Sequence, residues 1–190
     1  MTWWVVTGGI GSGKSTVTRL ASAAGFATID ADLVGHDVLA GPARAAVARR
    51  WPDVMVEGQV DRKALGGIVF SDRVQLKELE AITHPLISEE LRYRMASSTR
   101  GVLELSVPIP LAGNLPTVVV DAPDETRRER LRERGLTEEA IANRMANQPT
   151  RSEWLEMATV VIDNSGTPDD LHRAVTRWLR YLSSAEGSTP

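Results

Sequence analysis

The chain has 190 residues, a formal net charge of −3 and no cysteine. These values exclude a disulfide framework and thiolate metal sites, and the slightly acidic balance argues against a general nucleic-acid-binding protein. Because the N-terminal apolar run is too short for a signal peptide or a membrane span, we expect a cytoplasmic protein with no membrane partner. The length fits one α/β domain with a small inserted subdomain.

Short apolar runs alternate with helical patterns along the chain. Apolar runs predict buried strands at residues 2–7, 26–30, 101–107, 117–123 and 159–166. Helices are predicted at residues 14–25, 33–51 (interrupted at Gly41-Pro42), 61–70, 72–83, 85–96, 124–135, 137–148 and 168–182. We expect Asp61, Asp72 and Asp124 to cap the helices that they begin, and His84-Pro85 to separate two helices. The alternation predicts an α/β fold with a doubly wound parallel sheet, and the stretch 33–99, which shows no clear strand, predicts a helical flap beside it.

The sequence GGIGSGKS follows the first predicted strand and opens the first predicted helix. It fits the pattern G-x-x-x-x-G-K-[ST], with Gly8, Gly13, Lys14 and Ser15 at the fixed places, and it does not fit the dinucleotide pattern G-x-G-x-x-G. A phosphate chain must approach the backbone closely, so glycines leave inward N–H groups free to form an anion-binding nest, to which the helix adds its N-terminal partial charge. Lys14 then reaches the β- and γ-phosphates, and the Ser15 hydroxyl can bind Mg²⁺. The stretch therefore predicts a nucleotide phosphate site.

Two carboxylates, Asp30 and Asp32, follow the second predicted strand. In a doubly wound sheet the carboxyl ends of the strands face the ligand crevice. Either carboxylate could accept a proton from an attacking hydroxyl or hold Mg²⁺ through water, and either could instead cap the next helix. We favour the functional interpretation for Asp32, and both interpretations stay open for Asp30.

The stretch 124–135 is rich in arginine, and Arg127, Arg130 and Arg134 lie near one face at helical spacing. Guanidinium groups bind phosphate oxygens bidentately and neutralise the charge that spreads during phosphoryl transfer. A helical pair that carries them would act as a lid that excludes water. The interspersed glutamates leave a solvated, salt-bridged face as the alternative for any single arginine, but we expect at least one of the group to meet phosphate. Arg144 and Arg151 are further candidates.

Six motifs, taken in their order along the chain, resemble those of the dephospho-coenzyme A kinase family. They are TGGIGSGKSTV, IDAD, LEAITHPLI, VVVDAP, the arginines with RMANQ, and VVIDNSG. The phosphate loop is shared by many NTPases, whereas its combination with DAD, the central HP and the late IDNSG is more specific. The resemblance implies a P-loop kinase that moves the γ-phosphoryl group of ATP, with Mg²⁺, to the ribose 3′-hydroxyl of dephospho-CoA, giving CoA and ADP. With the predicted elements, it implies one kinase domain over 1–190. Its parts are a core at 1–32, 100–123 and 158–185, a helical acceptor-side subdomain at about 33–99, and a lid at about 124–157.

The resemblance also implies roles for single positions. Asp32 would be the general base and would lie with Thr7 by the acceptor. His84 would lie in the acceptor-side subdomain, although His84 taken alone favours a structural role. The ATP phosphates would be held by Gly9, Ile10, Gly11, Ser12, Gly13, Lys14, Ser15 and Thr16. The lid would supply Arg130, Arg134 and Arg144, and the adenine would be bordered by Asn164 and Gly166.

One stretch departs from the family pattern. The family has an aspartate, then a proline with two leucines, then an acidic residue, whereas residues 103–116 read LELSVPIPLAGNLP. Ser106 stands where we expect the aspartate, Ile109-Pro110 replaces the leucine pair, and the connection to the next strand is shorter. Because this stretch helps to build the acceptor site and to organise the metal, three hypotheses stay open. Dephospho-CoA kinase leads; the others are a related kinase for a different nucleoside-like or small-molecule hydroxyl, and an ATP-binding regulator that has lost transfer.

Overall fold

The computed structural model describes residues 2–106 and 113–186. The strands in these ranges are β1 (Thr2–Thr7), β2 (Ala27–Asp30), β3 (Met55–Val56), β4 (Gln59–Val60), β5 (Arg100–Glu104), β6 (Thr117–Asp121) and β7 (Val160–Asp163). The helices are α1 (Lys14–Ala23), α2 (Ala31–Ala40), α3 (Arg44–Arg50), α4 (Arg62–Val69), α5 (Arg73–Ala96), α6 (Asp124–Glu133), α7 (Glu138–Ala146), α8 (Arg151–Glu156) and α9 (Pro168–Glu186), with a 3₁₀ turn at Pro52–Val54. Residues 107–112, which form the middle of the divergent stretch and include the last residue of a predicted strand, lie outside the described residues, as does the end of the tail.

The five predicted strands form one sheet in the order β2-β5-β1-β6-β7. β1 runs parallel to β5 and β6, and β6 runs parallel to β7. The predicted α/β fold with a doubly wound parallel sheet is therefore confirmed. Because parallel strands end at the same edge of a sheet, Thr7, Glu104, Asp121 and Asp163 all lie along its carboxyl edge.

The strands are apolar because both faces of the sheet are covered, as is usual for parallel strands. Trp3 and Trp4 point to opposite faces, and both are buried, as the sequence predicts for core residues. On one face, Trp4 packs with Val17 of α1 and Trp178 of α9 in a single hydrophobic cluster. The Trp4 and Trp178 rings meet edge to face, with centroids 6.0 Å apart and planes at 80°. This packing fixes α1, and with it the loop that precedes α1, against the sheet.

The chain divides into two compact units, Asp30–Ala96 and the remainder, which is Met1–Ile29 with Ser97–Pro190. The unit Asp30–Ala96 holds α2 to α5, but the expectation that it lacks strands is wrong. β3 and β4 form an antiparallel pair in which Met55 lies opposite Val60. The turn residues Glu57 and Gly58 both have positive φ, 49° and 76°, the geometry that closes a two-residue hairpin. Strands this short contain no alternation that a sequence pattern could reveal.

The expected break at His84-Pro85 is also absent, because α5 runs through it as one helix of 24 residues. A proline in a helix interior removes one backbone hydrogen bond and costs about 3 kcal/mol. Thr83, Ile87 and Leu91 are buried on both sides of Pro85 along α5, and the burial of this face offsets the cost.

The predicted caps have mixed outcomes. Asp61 and Asp72 each accept hydrogen bonds from backbone N–H groups of the next turn, so both caps are confirmed. Asp124 is already the first residue of α6, where Pro123 is the N-cap, and its carboxylate instead accepts a hydrogen bond from Arg127.

The described helices include none with the length and apolar character needed to cross a bilayer.

Candidate active site

The phosphate loop, residues 8–14, connects β1 to α1 at the carboxyl edge of the sheet. Gly8, Gly11 and Gly13 have φ values of 141°, 80° and 106°, which residues with a Cβ rarely adopt. Gly13 is the N-cap of α1 and makes no side-chain hydrogen bond to the first turn, so the positive end of the helix lies directly at the loop. The hydroxyl of Ser12 is buried and has no hydrogen-bond partner among the described residues. The loop therefore offers buried donors at the place where the motif predicts phosphate.

The loop glycines are required by the protein itself as well as by a phosphate. A Cβ at Gly9 would overlap the guanidinium of Arg127, and a Cβ at Gly13 would overlap Nδ2 of Asn164. A Cβ at Gly11 would lie 2.8 Å from the carbonyl oxygen of Arg127. α6 and the turn after β7 thus pack directly on the loop backbone, which the motif alone does not reveal.

Three consecutive carbonyl groups of the loop are held by side chains. The donors are Arg127 Nε to Ile10 (2.9 Å), Arg130 Nη1 to Gly11 (3.5 Å) and Asn164 Nδ2 to Ser12 (2.6 Å). In a trans peptide the carbonyl oxygen and the following N–H point in opposite directions. Fixing the oxygens of Ile10 and Ser12 therefore directs the N–H groups of Gly11 and Gly13 away from the side chains that hold the loop. The N–H of Ser12 closes a turn within the loop, to the carbonyl of Gly9 at 3.0 Å.

Arg127 places a buried positive charge behind the loop. Only 4% of the residue is exposed, and its Nη1 also donates to Asp124 at 2.9 Å. Burial lowers the pKa of the Arg127 guanidinium, and the Asp124 carboxylate opposes that shift. Arginine nevertheless stays charged at neutral pH. The charge therefore adds to the attraction of the loop for phosphate.

The predicted arginine face divides into two parts. Arg127 and Arg130 contact the loop, and Arg130 Nη2 also donates to the carbonyl of Asn164 at 2.9 Å. Arg134, the C-cap of α6, is exposed, as is Arg144 of α7. Helical spacing identified the face, but it could not show that the oxygens bound by Arg127 and Arg130 are backbone carbonyls.

Lys14 is buried in the first turn of α1, and its ammonium group curves back over the loop. It donates to the carbonyl oxygens of Gly8 and Gly9, at 2.9 and 3.4 Å. Thr16 lies in the first turn of the helix, where its N–H donates to the Gly13 carbonyl at 3.0 Å. The loop therefore combines a cation on the side chain of Lys14 with a helix N-terminus, both of which favour an anion.

The hydroxyl of Ser15 donates to a carboxylate oxygen of Glu104 at 3.0 Å. Glu104 is the last residue of β5 and lies at the carboxyl edge of the sheet. The family resemblance leads us to expect an aspartate at the position of Ser106, and the sequence predicts no role for Glu104. The predicted strand continues to residue 107, three residues beyond the end of β5, so the sequence does not place Glu104 at the edge of the sheet. Hydroxyl and carboxylate oxygens are ligands that Mg²⁺ prefers.

A second carboxylate at the edge, Asp121, is bound by Arg151 at the start of α8. Arg151 Nε lies 2.9 and 3.2 Å from the two carboxylate oxygens, and its Nη2 lies 2.7 Å from one of them. Hydrogen bonding to Asp121 raises the pKa of the Arg151 guanidinium. The sequence suggested Arg151 as a phosphate ligand and did not suggest this bidentate pair, which anchors α8 to the sheet.

The remaining predicted residues of the sheet unit have structural contacts. Thr7 is buried, and its hydroxyl donates to the Leu105 carbonyl at 2.8 Å. Asn164 directly follows β7, and its backbone N–H donates to the carbonyl of Asp121 at the end of β6, at 2.7 Å. Because its side chain also donates to Ser12, it joins this edge of the sheet to the loop. A Cβ at Gly166 would lie 2.9 Å from the Asp170 carboxylate.

In the unit Asp30–Ala96, the two aspartates after β2 have separate roles. Asp30 is the N-cap of α2, where Oδ1 accepts from the N–H groups of Asp32 at 2.8 Å and Leu33 at 3.3 Å. Asp32 lies in the first turn of α2 and is exposed. His84 is half-buried within α5.

A loop of this sequence, following the first strand of a parallel sheet and opening a helix, is the nucleotide site of P-loop NTPases and kinases, and the fold places the chain in that class. Within it, the chain belongs to the dephospho-CoA kinase family, because the family model described as Dephospho-CoA kinase matches residues 2–170. It is therefore an ATP-dependent kinase by family.

Individual relatives and solved structures support this family assignment. A dephospho-CoA kinase of Frankia casuarinae is 44% identical over 176 residues, which cover 87% of this chain and 77% of the relative. The crystal structure of TT1252 from Thermus thermophilus is 34% identical, with a TM-score of 0.83, and the match covers 95% of this chain and 97% of that one. A dephospho-CoA kinase structure from Campylobacter jejuni is 25% identical, with a TM-score of 0.75 and coverage of 97% and 98%.

Proposed function

We propose that this protein transfers the γ-phosphoryl group of ATP to the ribose 3′-hydroxyl of dephospho-CoA, giving CoA and ADP. The observation that carries the proposal is the phosphate loop, whose carbonyls are held from behind in a chain of the dephospho-CoA kinase family. Phosphoryl transfer needs positioning and charge stabilisation more than covalent chemistry from the protein. A loop whose dipoles are already oriented supplies both.

The loop and Lys14 bind the phosphates in this proposal. The N–H groups of Gly11 and Gly13 donate to phosphate oxygens, the N-terminus of α1 adds its positive partial charge, and the Lys14 ammonium leaves its carbonyl contacts for the phosphates. Arg127 and Arg130 hold the loop and act on the phosphates through their charge. The exposed Arg134 and Arg144 remain the candidates for direct contact with the transferring group.

Ser15 and Glu104 fit Mg²⁺, because a hydroxyl and a carboxylate already 3.0 Å apart offer two hard oxygen ligands beside the loop. A bound Mg²⁺ would neutralise charge on the phosphate oxygens. Ser15 and Glu104 would orient that ion, and the remaining ligands would be phosphate oxygens and water.

Asp32 is our proposed general base. It follows the carboxyl end of β2 and, unlike Asp30, does not serve as the cap of α2. As the 3′-oxygen bonds to the γ-phosphorus and the bond to the leaving ADP oxygen breaks, the hydroxyl proton passes to the Asp32 carboxylate. We assign Thr7 to holding the end of β5 rather than to the acceptor, since its buried hydroxyl is used by Leu105. His84 stays a proposed acceptor-side residue, and Asn164 and Gly166 stay proposed neighbours of the adenine.

The test is mass spectrometry of the products formed from ATP, Mg²⁺ and dephospho-CoA, beside a panel of nucleosides and nucleotides. We expect CoA as the main product. No CoA, but another acceptor heavier by one phosphoryl group, would refute the proposed acceptor and support the related-kinase hypothesis. ATP binding with no product from any acceptor would support the regulator.

Asp32→Asn tests the base, and Asp30→Asn is its matched control. Asparagine caps a helix as well as aspartate, so Asp30→Asn removes the same charge two residues away and keeps the cap. We expect Asp32→Asn to lower kcat at least about 100-fold with unchanged ATP affinity, and Asp30→Asn to keep most of the wild-type rate. Equal effects of the two variants would remove Asp32 from the proposed role.

A further inference from the structure

Gln148, the last residue of the RMANQ motif, contacts the phosphate loop, although the sequence predicts a role in that motif only for Arg144. It lies in the connection between α7 and α8, and its side chain is half-buried. Its Oε1 accepts from the N–H of Ile10 at 2.7 Å, and its Nε2 donates to the carbonyl of Ser106 at 3.3 Å. One carboxamide therefore connects the loop, the segment after β5 and the lid.

Both polar groups of Ile10 are held by the lid segment. Gln148 accepts from its N–H, and Arg127 donates to its carbonyl oxygen at 2.9 Å. These two contacts fix the peptide groups on either side of the Ile10 Cα. The next residue, Gly11, has a φ of 80° and no side chain, so the backbone there would otherwise rotate easily. The lid therefore determines how the first half of the loop is oriented.

The second contact of Gln148 closes a ring of interactions around the phosphate site. Ser106 lies two residues after Glu104, whose carboxylate accepts from the Ser15 hydroxyl at 3.0 Å. Ser15 in turn directly follows the loop. Glu104 thus joins the end of β5 to Ser15, which follows the loop, and Gln148 joins Ser106 to Ile10 in the first half of the loop.

We propose that Gln148 is a positioning residue that sets the distance between the phosphate loop and the end of β5. It does so because a carboxamide can accept from Ile10 and donate to Ser106 at once, which neither a carboxylate nor an apolar side chain can do. The site that it shapes is the triphosphate site, so the inference rests on the proposed nucleotide-binding function. A residue with a purely structural role would alter thermal stability alone, whereas Gln148 acts on ATP affinity.

Gln148→Met and Gln148→Glu separate these roles, with Asn147→Ala as the matched control. Methionine occupies similar space and makes neither hydrogen bond. Glutamate keeps the acceptor, loses the donor, and adds a negative charge beside the triphosphate. Asn147 is the neighbouring exposed carboxamide, and its Nδ2 donates to the Asn143 carbonyl within α7 rather than to the loop.

The measurement is calorimetric titration with ATP and Mg²⁺ in the absence of any acceptor, so that a wrong acceptor assignment does not affect it. We expect Gln148→Met to weaken ATP binding about fivefold to tenfold and Gln148→Glu to weaken it more, with Asn147→Ala within twofold of wild type. A second measurement uses turnover of the Gln148 variants with the acceptor identified by mass spectrometry. The KM for ATP should rise above the wild-type value, while the KM for the acceptor stays within twofold of it. Wild-type ATP affinity in Gln148→Met, or an equal loss in Asn147→Ala, would overturn the proposal.

Discussion

Replacing Gly13 by alanine measures how tightly the phosphate loop is packed. Gly13 has φ 106° and ψ 17°, and an alanine forced into such a left-handed conformation costs about 1–2 kcal/mol. The new Cβ would also overlap Nδ2 of Asn164. Moving Asn164 breaks its buried 2.6 Å bond to the Ser12 carbonyl and leaves both groups unpaired, a further cost of about 1–3 kcal/mol. We therefore expect Gly13→Ala to lower the free energy of unfolding by about 2–5 kcal/mol.

Two other glycines separate the contributions to this cost. Gly25 has φ 82°, and the nearest atom to a new Cβ, Nη2 of Arg100, lies 3.9 Å away, so Gly25→Ala bears only the conformational cost of about 1–2 kcal/mol. Gly67 lies in α4 at an ordinary φ, and no atom of the described residues comes within 4 Å of a new Cβ. Alanine there should stabilise the protein by about 0.5–1 kcal/mol, because glycine loses more chain entropy on folding.

Urea unfolding of the three variants, with the m-value checked for constancy, gives these differences directly. The loss in Gly13→Ala should exceed that in Gly25→Ala by about 1–3 kcal/mol, a difference of roughly 2–12 °C in Tm for a chain of this size. Adding Asn164→Ala to Gly13→Ala should then cost little more, since the overlapping group is gone. The reasoning is refuted if Gly13→Ala is no worse than Gly25→Ala, because Asn164 would then yield without cost.

Three more predictions concern the edge of the sheet and the lid. Arg151→Lys should lower the free energy of unfolding by about 1 kcal/mol, because lysine cannot bind both oxygens of Asp121, and an unchanged Tm would contradict this. Glu104→Ala should raise the Mg²⁺ concentration for half-maximal ATP turnover by at least about tenfold, and an unchanged Mg²⁺ titration would remove Glu104 from the metal site. Hydrogen bonds from the Thr150 hydroxyl and N–H hold the pKa of Glu153 below its ordinary value. The Glu153 cap therefore stabilises α8 above the unfolded-state pKa and is lost as the pH falls through the lower folded-state value. An NMR titration midpoint of Glu153 equal to that of an unfolded peptide would contradict this.

The parts of the protein that sequence could predict are those with local causes. The phosphate loop was found because its glycines and Lys14 are contiguous, and Asp61 and Asp72 were found because a cap acts two or three residues away. The contacts that organise the loop are not local. Arg127 and Ile10 are separated by 117 positions in the sequence, and Gln148 and Ile10 by 138. Neither contact produces a periodic pattern that sequence analysis could detect.

Glu104 shows a different limit. The residue type was visible in the sequence, but its role depends on where β5 ends, and strand ends are the least certain part of any pattern. The predicted strand ends at residue 107, so the sequence does not place Glu104 at the edge of the sheet. Because Glu104 supplies a carboxylate beside Ser15, a serine at position 106 is compatible with a metal site, and the product assay decides among the three hypotheses.

The need to orient the loop explains why Arg127 and Arg130 of α6 donate to its carbonyl oxygens rather than to solvent. Buried N–H groups without hydrogen-bond partners cost free energy. Without other contacts, the peptide groups of the loop would therefore tend to rotate until their N–H groups donate to nearby carbonyl oxygens. Arg127 and Asn164 oppose that rotation by holding the oxygens of Ile10 and Ser12. The loop thus has the orientation that a triphosphate needs before the triphosphate binds. The free-energy cost of orienting its peptide groups is therefore met during folding rather than during binding or transfer. On this argument, Arg127 and Asn164 favour phosphate binding by holding the loop, without contacting the phosphate themselves.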